Sequence, residues 1–253
     1  MMKPVALITG ASSGFGEASA RLLAPHYRLI LAARRLERLT HLQEELQALT
    51  EVYPLELDVR HQADVSKAID SLPDSFSAID LLINNAGLAL GLEGAWECDL
   101  EDWERMVDTN IKGVLYCTRA ILPQMVERNC GYIINIGSIA GNWPYAGGNV
   151  YGATKAFIEQ FSRNLRCDLA GKRIRVTTLK PGMAESEFSL VRFKGDEERA
   201  KKVYEGIEPL TPEDIAATIL YLVSLPERIN VNEIEVMPLC QSFGRTTITP
   251  VKE

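Results

Sequence analysis

The sequence predicts an α/β fold built on a doubly wound parallel sheet with helices on both faces. Short apolar runs of the length of buried strands alternate with helix-like segments along the whole chain, which is typical of this architecture. The first apolar run, residues 5–9, leads into a glycine-rich turn and then a helix. We find no internal repeat, low-complexity segment or linker, so residues 1–253 are expected to form a single domain.

The element boundaries follow from apolar runs, Gly and Pro signals and capping residues. Strands are predicted at residues 5–9, 28–33, 52–57, 79–83, 132–136, 174–179 and 233–238. Helices are predicted up to residue 23, at 36–49, 63–71, 100–129 (with a break near Asn110 and Gly113) and 151–170, and from Thr211, an N-cap followed by Pro212. The polar segment at about 183–206 has the composition of a mobile flap, and residues 239–253 form a C-terminal tail.

The composition argues against several classes of function. The net charge is −7 and no block of Lys or Arg interrupts it, so neither nucleic acid nor an anionic membrane is an expected partner. No run approaches the roughly 20 apolar residues that span a bilayer, and the N-terminal apolar run is too short for a signal peptide. The five Cys are scattered and the three His do not cluster, which predicts a cytoplasmic protein with reduced thiols and no metal site.

The glycine-rich turn, Gly10-Ala11-Ser12-Ser13-Gly14-Phe15-Gly16, has the form of a phosphate-binding loop. Glycines let the backbone approach a pyrophosphate, and the following helix N-terminus presents N–H groups and a positive dipole end. The spacing differs from the usual G-x-G-x-x-G pattern, and a tight strand-to-helix connection is the alternative interpretation. The flanking strand and helix favour a Rossmann-type dinucleotide site.

The end of the second strand carries Arg34 and Arg35 and no acidic residue. In dinucleotide sites an Asp or Glu near this point binds the ribose 2′-hydroxyl of NAD, whereas Arg accommodates the 2′-phosphate of NADP. We therefore predict that NADP(H) is preferred. The alternative is that the two arginines are solvated residues at the start of a helix.

A third stretch, from Ser138 to Lys155, carries the predicted catalytic groups. Tyr151 and Lys155 are four residues apart, so they project from one face of a helix. A nearby cation favours the phenolate, which brings Tyr151 closer to the pH at which it can exchange a proton. A Tyr-x-x-x-Lys pair on its own is more often an exposed helix face, and it gains meaning only beside a hydride carrier.

Together these residues resemble the short-chain dehydrogenase/reductase family over essentially the full chain. The resemblance rests on motifs in the family's order: Thr9-Gly10-x-x-x-Gly14-x-Gly16, Asp58, Asn84-Asn85-Ala86-Gly87, Asn110, Ser138, Tyr151-x-x-x-Lys155 and Pro181-Gly182. One departure lies after Gly182, where many members carry a Thr that touches the nicotinamide carboxamide and this chain has Met183.

The resemblance implies a role for each matched position. The residues implied to bind the cofactor are Gly10, Ser12, Gly14, Phe15, Gly16, Arg34, Arg35, Asp58, Val59, Asn84, Ala86, Gly87, Tyr151, Lys155, Pro181 and Gly182. Ser138 would orient the substrate oxygen and Tyr151 would pass the proton. Lys155 would bind the nicotinamide ribose and lower the pKa of Tyr151, and Asn110 would hold a water that links Lys155 to solvent.

Within the family the chain is similar to NADP-dependent 3-hydroxy acid (serine/allo-threonine) dehydrogenases, which also act as malonic semialdehyde reductases, and to sulfoacetaldehyde reductases. Residues 84–91, 143–155 and 185–196 carry this similarity. It implies NADP(H)-dependent interconversion of a short anionic aldehyde (sulfoacetaldehyde or malonic semialdehyde) and its hydroxy acid, and a homotetramer. Asn142, Tyr145 and Arg192 are the candidate substrate residues.

Two other functions remain open at this point. The first is a reductase of a bulkier ketone or an acyl-carrier 3-oxo thioester, because fold does not decide substrate. The second is a catalytically silent NADP sensor, although such a protein would be expected to lose part of the Ser138, Tyr151 and Lys155 set.

Overall fold

A computed structural model describes residues 2–243 and shows one seven-stranded sheet in which all neighbouring strands are parallel. The strands are β1 (Val5–Thr9), β2 (Arg28–Ala33), β3 (Val52–Glu56), β4 (Ile79–Asn84), β5 (Gly131–Ile136), β6 (Ile174–Pro181) and β7 (Glu233–Val236). Their order is β3-β2-β1-β4-β5-β6-β7. The chain thus winds outward from β1 in both directions, which confirms the predicted Rossmann-type sheet and puts the topological switch point between β1 and β4.

Helices cover both faces of this sheet. They are α1 (Gly14–Leu23), α2 (Leu36–Leu46), α3 (Gln62–Asp70), α4 (Asp74–Ser77), α5 (Leu100–Val107), α6 (Gly113–Arg128), α7 (Asn149–Asp168), α8 (Glu187–Arg192), α9 (Glu197–Lys202) and α10 (Pro212–Ser224). One apolar core lies between the sheet and α1, α2 and α10, and a second lies between the sheet and α3, α6 and α7. Strands buried on both faces explain why the sequence shows apolar runs instead of alternation.

The helix predicted at residues 100–129 is divided by a π-helical turn. Residues 108–112 form this turn between α5 and α6, and Asn110 lies fully buried within it. Its side chain accepts a hydrogen bond from the Leu88 N–H (2.9 Å) and donates to the Leu88 carbonyl (2.8 Å). The π-helical turn between α5 and α6 thus binds the loop that follows β4 through Asn110.

The predicted flap at residues 183–206 contains two short helices, α8 and α9. The hydroxyl of Tyr204 contacts the Ser189 hydroxyl (2.6 Å) and donates to the Ala184 carbonyl (3.0 Å), so the two ends of the flap are tied to each other. Next to the flap, Thr211 forms the predicted N-cap of α10 and shares a capping box with Asp214.

Only the first residues of the predicted tail, 239–243, fall within the described part of the chain; residues 244–253 lie outside it. Among residues 2–243, none of the helices is both long and apolar enough to cross a membrane.

Candidate functional site

A cavity of about 610 Å³ opens at the carboxyl ends of the strands, beside the switch point of the sheet. A volume of this size is in the range of ligand and cofactor pockets. The predicted site residues that line it are Gly10, Ser12, Gly14, Phe15, Arg34, Arg35, Asp58, Val59, Ala86, Gly87, Ser138, Tyr145, Tyr151, Lys155, Pro181, Gly182 and Arg192. Four predicted residues, Gly16, Asn84, Asn110 and Asn142, are not part of this lining.

The glycine-rich turn forms one wall of the cavity. Gly10 has φ +67°, a conformation that residues with a side chain rarely adopt, and a Cβ at this position would approach Ala86 to 3.0 Å. The Ser13 side chain makes no capping hydrogen bond to α1, so the first N–H groups of that helix are available to an anion in the cavity. Gly16 does not line the cavity; a Cβ there would meet the Gly10 carbonyl at 2.5 Å, so this glycine permits tight packing of the turn.

Arginines line the cavity beside this turn. Arg35 donates to the hydroxyls of Ser12 (3.2 Å) and Ser13 (2.8 Å), which hold its guanidinium against the turn. It also pairs with Glu187 of α8 at 3.0 Å, and Arg38 pairs with the same carboxylate at 2.6 Å. The sequence did not suggest Arg38 or Glu187, because 149 residues separate them along the chain.

Asp58 and Val59 line the cavity at the end of β3, as the resemblance implied. The Asp58 carboxylate is held by Arg60 at 2.6 Å, and this ion pair lowers the pKa of Asp58. Arg60 also lines the cavity and was missed, because a surface arginine carries no signal of its position without the fold.

Three of the four predicted catalytic residues, Ser138, Tyr151 and Lys155, line the cavity together, and the fourth, Asn110, does not line it. Tyr151 and Lys155 lie on adjacent turns of α7, and the Lys155 Nζ is 5.8 Å from the centre of the Tyr151 ring. Lys155 is 5% exposed and donates to the Ile136 carbonyl at 2.9 Å. Ser138 precedes a single 3₁₀ turn, and its hydroxyl accepts from the Ala140 N–H (3.1 Å) and is hydrogen-bonded to Tyr151.

Burial dominates the acid–base properties of this group. It raises the pKa of Tyr151 to about 12, against the opposing effects of the Ser138 hydrogen bond and the charge of Arg192. It lowers the pKa of Lys155 to about 8. The charge of Arg192 favours the phenolate form of Tyr151 in this structure, and the predicted effect of Lys155 on the pKa of Tyr151 stays a prediction.

Two predicted asparagines, Asn84 and Asn110, make hydrogen bonds within the protein, and their implied contacts to the cofactor and to a water stay predictions. Asn84 is buried and donates to Asn135 (2.8 Å) and Thr118 (3.1 Å), which joins β4 to β5 and α6 beneath the cavity. The Asn110 amide is engaged by the Leu88 backbone and donates to Thr154 of α7 at 3.0 Å. The side-chain oxygen of Asn110 lies close to Gly87 and Lys155. A Cβ built on Gly87 would be 3.3 Å from this oxygen and 3.5 Å from the Lys155 Nζ.

The candidate substrate residues divide into two groups. Asn142 is turned away from the cavity, because its side-chain oxygen accepts from the buried Lys180 at 3.2 Å. Tyr145 and Arg192 line the cavity, and the Arg192 guanidinium donates to the Tyr145 hydroxyl at 3.0 Å. The same guanidinium lies 5.2 Å from the centre of the Tyr151 ring and 5.0 Å from that of Phe188.

The segment after β7 completes the cavity near Pro181 and Gly182. The Gln241 side-chain oxygen accepts from the Met183 N–H at 2.7 Å. Gln241 thus holds the backbone at position 183, where many family members have Thr. Phe243 packs on Trp143 with 4.7 Å between ring centres. Gln241 and Phe243 both line the cavity, and the sequence offered no signal for them because they lie in a tail without a motif.

These features fit a dinucleotide that carries a 2′-phosphate. The start of α1 can hold the pyrophosphate, Arg34 and Arg35 lie where the 2′-phosphate is expected, and Tyr151 and Lys155 lie at the other end of the same cavity.

Comparisons with known proteins agree with this arrangement. Residues 4–196 match the family model described as "short chain dehydrogenase". An NADP-dependent 3-hydroxy acid dehydrogenase of Salmonella typhi is 53% identical over 246 residues, covering 96% of this chain and 98% of the relative. Sulfoacetaldehyde reductase 2 of Chromohalobacter salexigens is 50% identical over 245 residues, covering 96% and 97%.

A solved structure with the same fold is the closed form of serine dehydrogenase complexed with NADP⁺. It has a TM-score of 0.94 and 50% identity and covers 97% of this chain and 99% of that one. The serine dehydrogenase of Escherichia coli has a TM-score of 0.83 and 47% identity, covering 94% and 100%. On these findings the chain belongs to the short-chain dehydrogenase family and is an NADP-dependent oxidoreductase that acts on hydroxyl or carbonyl groups.

Proposed function

We propose that the protein interconverts a short anionic aldehyde and the corresponding hydroxy acid by hydride transfer. The substrate pair is sulfoacetaldehyde and isethionate, or malonic semialdehyde and 3-hydroxypropionate or a related 3-hydroxy acid. The observation that carries this proposal is the position of Arg192, a cation held over the ring of Tyr151 inside the cavity.

The chain's own residues provide binding, orientation and a proton. NADP(H), when bound, supplies or accepts the hydride. Tyr151 donates its phenolic proton to the carbonyl oxygen during reduction, and Ser138, already hydrogen-bonded to Tyr151, stabilises the negative charge that develops on that oxygen. Lys155, at the inner end of the cavity, supplies positive charge and a hydrogen-bond donor to the cofactor's ribose.

Arg192 is well placed for the anionic end of the substrate. Its Nε is buried and has no hydrogen-bond partner among the residues that the structure describes. The rings of Tyr145, Tyr151 and Phe188 surround the guanidinium and exclude water from part of it. A cation in such a partly dry environment attracts an anion more strongly than one in open water. The partly desolvated guanidinium lining the cavity therefore supports a carboxylate or sulfonate ligand here.

The experiment compares Arg192→Ala with Arg199→Ala, a matched change on the same flap. Arg199 also lies on an aromatic ring, Phe193, at 4.5 Å, but it does not line the cavity. With NADPH, Arg192→Ala should lower the kcat/KM ratio of sulfoacetaldehyde, or of malonic semialdehyde, to propanal by about 10- to 100-fold, roughly 1.4–2.7 kcal/mol. The two anions tested separately distinguish sulfonate from carboxylate.

Arg199→Ala should leave that ratio unchanged. If Arg192→Ala prefers the anionic aldehyde over propanal as strongly as the parent enzyme does, another group holds the anion and the proposed role of Arg192 is wrong.

We also propose that the protein assembles as a homotetramer. Family resemblance supports this, together with the long helices α6 and α7, which could pack against symmetry mates. Light scattering at micromolar concentration should give four times the 28.1 kDa chain mass; a monomer mass would refute the assembly.

A further inference from the structure

The flap contains a carboxylate that lies between two cofactor-side arginines. Glu187, the first residue of α8, directs one carboxylate oxygen to Arg35 (3.0 Å) and the other to Arg38 (2.6 Å). Arg35 is one of the two arginines predicted to hold the 2′-phosphate of NADP, and both Arg35 and Glu187 line the cavity. An acidic side chain is thus paired with a guanidinium group that an incoming 2′-phosphate would also use.

The arrangement of neighbouring groups shows that Glu187 is held in this place. Arg35 is fixed from behind by the hydroxyls of Ser12 and Ser13. Burial alone would raise the pKa of Glu187, but its bonds to Arg38 and Arg35 outweigh this and keep the pKa below its ordinary value. The carboxylate is therefore ionised at neutral pH, and it faces the arginines across the mouth of the cavity.

We propose that Glu187 is a specificity-determining residue that limits the preference for NADP(H) over NAD(H), because its carboxylate, which Arg38 also holds, competes with the 2′-phosphate for Arg35. The phosphate must either displace the carboxylate or share the Arg35 guanidinium with it, and both lower the net attraction between the phosphate and the protein. NAD(H) has no phosphate at this position and meets no such competition. The inference rests on NADP dependence and does not depend on which aldehyde is the substrate.

The arginines are partly exposed, so the effect should be moderate. Single exposed ion pairs contribute little, and salt screens them. We therefore expect Glu187→Gln, which keeps the shape of the side chain and removes its charge, to bind NADPH about 3- to 10-fold more tightly than the parent. Binding of NADH should change by less than about twofold, and the gain for NADPH should shrink as salt is added.

The matched control is Glu185→Gln. Glu185 lies two residues away on the same flap, is exposed, and makes no ion pair with any residue between 2 and 243. Dissociation constants of NADPH and NADH are measured by cofactor fluorescence for the parent and the two variants, without any aldehyde. These dissociation constants do not depend on turnover. The proposed role of Glu187 can therefore be wrong while the proposed substrate is right, and the proposed substrate can be wrong while the role of Glu187 is right.

Selective tightening of NADPH in Glu187→Gln, with Glu185→Gln like the parent, is the expected result. Three outcomes would overturn the proposal. NADPH binding could be unchanged in Glu187→Gln, which would mean that the carboxylate does not compete with the phosphate, or weaker, which would mean that the carboxylate helps to hold the arginines for the phosphate. Both cofactors could tighten equally, which would indicate a general effect on the flap. Glu185→Gln could tighten NADPH to the same degree, which would indicate an effect of net charge.

Discussion

At the scale of single residues, the chemistry depends on polar groups placed where water is scarce. Burial disfavours the charged forms of Tyr151 and Lys155, raising one pKa to about 12 and lowering the other to about 8. Tyr151 is therefore a protonated acid at neutral pH, as reduction of a carbonyl requires. The Ser138 hydrogen bond and the charge of Arg192 both favour loss of that proton, so in the proposed mechanism they assist its transfer.

Replacing Tyr151 by Phe should remove the proton donor while leaving the aromatic packing against Phe188, 5.6 Å away between ring centres. We expect kcat to fall by about 10²–10⁴, the range typical of acid–base catalysis. NADPH binding, measured by fluorescence, should be retained as evidence that the variant is folded. Turnover near that of the parent enzyme would exclude Tyr151 as the acid.

The buried ammonium of Lys155 should reduce stability at neutral pH. Its folded pKa of about 8 lies below the ordinary 10.5, so between these pH values the unfolded chain binds a proton that the folded protein has lost. Cofactor-free Lys155→Met should therefore be more stable than the parent at pH 7, by on the order of 1–2 kcal/mol after loss of the bond to Ile136. Because the parent gains roughly 3 kcal/mol of stability as the pH rises from 8 to 10.5, the difference should close and then reverse in sign within that window.

Urea unfolding across this pH range measures that effect. Lys67→Met, at an exposed position on α3, is the control and should show no such pH-dependent difference. A Lys155→Met variant that is less stable than the parent at pH 7 would show that the ammonium is stabilised by contacts outweighing its burial.

At the scale of elements, the flap joins the two ends of the cavity. One short helix, α8, presents Glu187 to the arginines of the cofactor side and Arg192 to Tyr151 on the catalytic side. The Arg192 carbonyl accepts from the Gly91 N–H at 3.0 Å, and Lys194 pairs with Asp102 of α5 at 2.7 Å. These two bonds anchor the flap beside the proposed substrate site. They must form whenever the flap closes over that site.

Loss of the Tyr204 hydroxyl should loosen the flap from within. Tyr204→Phe removes the contacts to Ser189 and to the Ala184 carbonyl, each worth about 0.5–1.5 kcal/mol. We expect the KM of the anionic aldehyde to rise by about 3- to 10-fold, because Arg192 is carried by this flap. Steady-state kinetics check this, with Tyr221→Phe on the exposed face of α10 as control. An unchanged KM would mean that the anchors at Gly91 and Asp102 suffice.

At the scale of the whole molecule, the fold could be predicted because its signals are local. Apolar runs, the glycine-rich turn and the Thr211–Pro212 helix start each depend on a few adjacent residues, and their sum specifies the parallel sheet. The cavity residues that belong to the family motifs could also be predicted from the sequence.

The remaining features depend on contacts between distant parts of the chain. Glu187 and Arg35 are 152 residues apart along the chain. Gln241, which follows β7, bonds to Met183, 58 residues earlier. Asn142 was predicted to face the substrate, but Lys180, only 7% exposed, binds its side chain from behind. A buried lysine is rare enough that no pattern in the sequence would suggest it.

The central claim is that an NADP-dependent site at the carboxyl edge of this sheet selects a short aldehyde by its negative charge. The most direct measurement is kcat/KM of the purified parent enzyme with NADPH for sulfoacetaldehyde, malonic semialdehyde and uncharged propanal. At least one anionic aldehyde should exceed propanal by about 10- to 100-fold. Equal values for all three, or a preference for propanal, would contradict the claim.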